Sequence, residues 1–127
     1  VQPVEDGAIQ RIRGARTVCD VRFDDPRVSG TVTTTGNYDC HAQAGCVTWG
    51  QQEIVGPDGG WSGSFNGVID PDFTERAFAV LSGTGGYAGL TFVVHAVGPL
   101  NETPTVVGLV YEGSPPPISE VALYLAG

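Results

Sequence analysis

The sequence predicts an all-β domain made of short antiparallel strands. Three observations support this. Apolar residues recur with period two rather than at helical spacing. Clusters of Gly, Pro, Asn and Asp punctuate the chain at the spacing of a sandwich or barrel. The 127 residues include 19 glycines and no methionine. This length suits one domain around a single core.

Residues 1–11 are acidic and weakly patterned and read as an N-terminal arm. Ile12 to Phe23 is the first strand and ends at the turn Asp24-Asp25-Pro26. Arg27 to Tyr38, "RVSGTVTTTGNY", alternates Val28, Gly30 and Val32 with Ser29, Thr31 and Thr33, which is the period of a strand. Cys46 to Val55 is the next, closed by "GPDGG". In Trp61 to Ile69, "WSGSFNGVI", aromatic residues or glycines alternate with Ser or Asn, and Asp70-Pro71-Asp72 turns the chain again. Arg76 to Ser82 and Tyr87 to Val97 flank "GTGG" and read as a hairpin. After "GPLNETPT", where Asn101-Glu102-Thr103 fits a glycosylation sequon, comes the seventh strand, Val106 to Glu112. Residues 114–127 form a Pro-rich linker and an apolar segment, "ISEVALYL". Three consecutive prolines cannot continue a ladder, so the segment is expected to close its own sheet as an eighth strand or to add to a neighbour's edge.

Composition excludes several function classes. The net charge is −8, and the six basic residues are all Arg, interleaved near the N-terminus with Asp20, Asp24 and Asp25. Without a basic stripe, nucleic-acid binding is not expected. No apolar run approaches the roughly 20 residues of a membrane-spanning helix. A start at Val1 fits a mature chain whose leader has been removed, or a trimmed one. Cys40 and Cys46 bracket "HAQAG", and a disulfide there suits an exported protein. Zinc is the rival for that pair, with His41 beside it, but the spacing does not match a compact site, and no metal or cofactor is expected. Cys19, between Val18 and Val21, reads as a buried thiol.

The later strands are apolar on both faces. Tyr87, Thr91, Val93, His95 and Val97 oppose Ala88, Leu90, Phe92, Val94 and Ala96. One face is expected to line an interior and the other to meet a neighbouring subunit, a covering segment or a ligand.

Gly83, Gly85, Tyr87 and Gly89 in "GTGGYAGL" resemble the hairpin of the allene oxide cyclase and dirigent barrels. "WGQQEIV", "DGGWSGSFNGVI" and "VVGLVYEG" are similar in order and spacing to bacterial secreted relatives. The resemblance implies a closed, calycin-like antiparallel barrel of about eight strands, often oligomeric, with a cavity for an apolar substrate. In physical terms the glycines allow a tight corner, and Tyr87 covers the surface that a neighbouring Gly lacks.

No catalytic residue is assigned. Glu53 shares a strand face with Trp49 and Gln51; pointing inward it would be an acid or base of raised pKa, and pointing outward an ordinary surface carboxylate. His95, among valines, would polarise a ligand or serve as a core or interface histidine. Tyr87 and Asn66 are the remaining candidates for orienting a polar group. There is no Gly-x-Ser-x-Gly elbow and no phosphate loop. The expectation is therefore an exported, non-catalytic, self-associating barrel that builds an oligomer or extracellular filament. Its termini, with Val121, Leu123, Tyr124 and Leu125, would make the contacts. The alternative is a barrel cyclase, isomerase or apolar small-molecule binder.

Overall fold

The computed structural model describes residues 4–6, 8–100 and 102–114. The sequon Asn101 and the proposed assembly residues Val121, Leu123, Tyr124 and Leu125 lie outside these. The described chain is all-β, an antiparallel meander in which each strand pairs with the next. In order the strands are β1 Val4–Asp6, β2 Ile9–Val21, β3 Gly30–His41, β4 Gly45–Val55, β5 Gly59–Ile69, β6 Thr74–Gly85, β7 Leu90–Pro99 and β8 Thr105–Glu112. β2 to β8 are the seven strands that the alternation predicts. The arm differs from expectation, because β1 forms a hairpin with the start of β2. Asp24-Asp25-Pro26 leads into a short 3₁₀ turn, Pro26–Val28. The Asp25 carboxylate caps it by accepting from the Arg27 backbone N–H at 2.9 Å.

The expected closed barrel is corrected to an open, curled sheet. Closure needs a segment paired with both β8 and β2, and no described residue supplies one. β8 pairs only with β7 among the described residues. The curl is nonetheless strong, because glycines on the inner face let large rings lie flat against the neighbouring strands. The register places Gly36, Gly50, Phe65, Ala79, Val94 and Gly108 in one lateral row across β3 to β8. A side chain at Gly50 would put its Cβ 2.0 Å from the Thr35 carbonyl oxygen and 3.0 Å from the Phe65 ring. Likewise, a Cβ at Gly108 would meet the Phe92 ring at 2.7 Å. The sheet can coil this tightly only where these positions lack side chains.

The core fills one end of the concave face. Trp61 and Leu81 are 1% and 0% exposed, and Ile54, Val32, Phe65 and Phe92 pack with them. The 3₁₀ turn plugs this end with Val28, while Trp61 Nε1 donates to the Arg27 carbonyl at 2.8 Å. Above it runs the β6–β7 hairpin, whose turn needs left-handed backbone at Gly85 (φ 61°) and Gly89 (φ 89°). Tyr87, at its tip, stacks on Trp61 with ring centroids 5.3 Å apart and packs over Gly59 and Gly83. The glycine cluster thus forms a corner covered by an aromatic ring.

Cys40 and Cys46 are directly paired across β3 and β4 and form a disulfide. Both cysteines are therefore taken, which removes the zinc alternative. Cys19 departs from expectation: its thiol is exposed, because β2 forms the lip of an open sheet rather than a stave of a closed one.

Candidate functional site

Inside the curl lies a cavity of about 380 Å³ lined by residues of β2 to β8. Its wall is mostly apolar: Val32, Ile54, Phe65, Phe92 and Val94 on one side, and the small side chains of β6 and β7 on the other. The small residues make the room. Ala77 and Ala96 are neighbours in register, opposite Gly67 on β5, so β5, β6 and β7 contribute almost no side-chain volume in this row.

Thr17, Cys19, Thr34 and Gln52 line the wall nearer the plugged end, whereas Tyr38 and Glu75 lie away from it. Tyr38 reaches the cavity from β3, and Glu75 from the start of β6. Burial pushes the Glu75 carboxyl above its ordinary range. Burial also pushes the Tyr38 phenol up, the nearby Glu75 charge adds to the rise, and the Thr48 hydroxyl opposes it. Thr48, beside Tyr38 in the ladder, is 2% exposed. Its Oγ1 lies close to the phenol without hydrogen-bond geometry and has no hydrogen-bond partner among the described residues. Arg76, adjacent to Glu75 in sequence, projects to the other face and lies 3.8 Å from Asp70. This arrangement can hold a polar group on an otherwise apolar molecule. With its proton in place, Glu75 can also donate to such a group.

None of the four residues singled out in the sequence belongs to this cluster. Glu53 faces outward and is exposed, in a lateral row with Thr33 and Ser62. Trp49 and Gln51 share that convex face, and the Arg13 guanidinium covers the Trp49 ring at 4.9 Å. Asn66 and His95 occupy one convex row with Phe78 between them. His95 stacks on Phe78, centroids 4.5 Å apart, and its buried Nε2 has no hydrogen-bond partner among the described residues. Tyr87 belongs to the plugged end. The four do not converge. The sequence does carry a signal for Glu75: it shares a period-two face with Ala77, Ala79 and Leu81, two of them buried.

The convex face is polar over β3 to β5, except at Val47, Trp49, Val55 and Val68, and over β6 to β8 it is mainly apolar, with Arg76, Ser82, Thr91 and His95 among the valines. Val107 and Leu109 of β8 are 58% and 47% exposed. Among the described residues no three or more His, Cys, Asp or Glu side chains group as a metal site, and no helix is long and apolar enough to cross a membrane. Comparison with family models, curated proteins and solved structures found no match for this chain.

Proposed function

We propose that the concave face binds a small, mainly apolar molecule carrying one polar group, in an exported protein stapled by the Cys40–Cys46 disulfide. The observation that carries this reading is the placement of a carboxyl, Glu75, and a phenol, Tyr38, in a mainly apolar cavity walled by β2 to β8, whose other polar lining is the uncharged Thr17, Thr34 and Gln52 and the Cys19 thiol. A sheet curled only for packing has no use for a half-buried carboxyl there, since burying it costs free energy unless something compensates. The cavity also falls within the size range of small-ligand sites, roughly 300–1,000 Å³. The resemblance to the cyclase and dirigent barrels points to the same ligand class. It rests on a corner hairpin and three further segments in order and supplies no catalytic residue, so binding is proposed rather than a reaction. Titration with a neutral apolar fluorophore tests this. Saturable binding that is weakened by Ala96→Leu, which fills the cavity, is expected. Absence of saturable binding, or binding indifferent to the filling, refutes it.

A second reading is self-association into an oligomer or extracellular filament. It is favoured by the apolar convex surface of β8 around Val107 and Leu109, next to a sheet edge unpaired among the described residues. Mass measurement over a wide concentration range decides it. A strict monomer refutes it, and dissociation of an assembly by Val107→Asp supports it.

A further inference from the structure

Resting on the binding reading above, the charge distribution of the cavity narrows the ligand class. Among the described residues its ionisable lining groups are the Glu75 carboxyl, the Tyr38 phenol and the Cys19 thiol. No Lys, Arg or His side chain among the described residues lines it. The ion pairs Arg13–Asp39, Arg27–Asp25 and Arg76–Asp70 all lie outside the cavity wall. Burial pushes the Glu75 carboxyl up. At one end of the concave face there is therefore a carboxyl lacking a counter-charge in the wall. Beside it are a phenol oxygen and a fully enclosed threonine hydroxyl that has no partner among the described residues.

We propose that the cavity takes a lipophilic amine, a molecule with a hydrocarbon body and a single ammonium group. The ammonium would sit on the Glu75 carboxylate, with the Tyr38 oxygen as a second acceptor, and the body would lie along Phe65, Val94 and Phe92. Three ligand charges compete for such a site. An anionic amphiphile would set like charge against Glu75 inside a chain of net charge −8, so it is disfavoured at close range and at long range. A neutral ligand either leaves the carboxylate desolvated and uncompensated or requires Glu75 to keep its proton. A cation supplies the missing partner, and Tyr38 can accept from it while turning its own proton toward Thr48 Oγ1, which satisfies that atom too.

The test uses the full chain, with a neutral apolar fluorophore displaced by three probes of equal chain length: dodecylamine, dodecanol and dodecanoate, each below its micelle concentration. At neutral pH the amine is expected to displace the fluorophore at least about tenfold better than the alcohol, with dodecanoate the poorest. That preference should persist at 0.5 M salt, which screens exposed charges, as expected of a pair removed from water. It should fall as acid protonates Glu75. The Tyr38 phenol, pushed up by burial, keeps its proton over that acid range, and among the described residues β4, β5, β7 and β8 bring no ionisable side chain to the cavity. On Glu75→Gln, amine and alcohol should compete equally, and Tyr38→Phe should weaken the amine preference about threefold, each read as the ratio of the two competitors on that variant. If the fluorophore binds but amine and alcohol compete equally, or dodecanoate wins, the charge inference is overturned and the binding reading stands. If the fluorophore does not bind, the binding reading itself fails. Should Glu75→Gln not fold, the probe series and its pH dependence on the wild-type chain decide.

Discussion

Phe65→Ala probes how the sheet holds its curl. The Phe65 ring is 9% exposed and lies across the backbone of Gly36 and Gly50, so removing it strips those strands of their inner cover. Burying a Phe side chain contributes about 1.5–3 kcal/mol by transfer alone, and Phe→Ala in cores costs about 3–5 kcal/mol once the vacated space is included. Here that space opens into the cavity and water can enter it, which reduces the penalty for a void. The flanking glycines have no side chains with which to close the gap, which removes any relief from collapse. A loss of about 3 kcal/mol follows, or on the order of 12 °C in Tm for a domain this size. Urea and thermal unfolding followed by circular dichroism would measure it, with Ser64→Ala as control. Ser64 is the next residue along β5 but lies exposed on the opposite face, so its substitution should stay within about 0.5 kcal/mol. A Phe65→Ala loss below about 1 kcal/mol, or equal losses for the two variants, would refute the assignment of faces and the glycine–aromatic account of the curl.

Three further outcomes are expected. Replacing both Cys40 and Cys46 by Ser frees a loop with a sequence separation of 6. Loop-closure entropy makes the cost about 2 kcal/mol, read as a lowered urea midpoint that reduction of the wild type should reproduce. For Glu75 the folded chain holds the proton more tightly than the unfolded one, so its contribution is fully present at acid pH and is lost as pH rises through the raised folded value. Glu75→Gln should therefore match the wild type in acid and become the more stable protein as pH rises toward neutrality; a constant offset across pH would contradict this. Phe73 holds a left-handed backbone (φ 65°) with its side chain 67% exposed, so Phe73→Asn should raise stability by about 0.5–1 kcal/mol in the same unfolding assay.

The functional cluster was harder to read than the strands, for a reason visible in particular residues. In "WSGSFNGVI" the aromatic and glycine positions differ so sharply from Ser and Asn that the inner face is plain, and Trp61 and Phe65 are buried as the pattern implies. In "TERAFAVLS" both faces are apolar, Ala77, Ala79 and Leu81 against Phe78 and Val80, so the period-two signal places Glu75 with the first set without saying which set faces inward. Trp49 misleads in the opposite sense. A tryptophan suggests an inner face for Glu53, yet its ring lies outside under Arg13.

The sequence by itself determined the local structure: which segments extend, where they turn, that Cys40 and Cys46 close across a hairpin, and that glycines mark the corner beneath Tyr87. These properties depend on steric preference and on neighbours a few residues apart. Only the tertiary structure decided which face became the interior, that the described sheet curls without sealing, and that Tyr38, Thr48 and Glu75 come together. Those outcomes depend on register summed across strands far apart in the chain, where each pairing fixes the next and no short stretch contains the result.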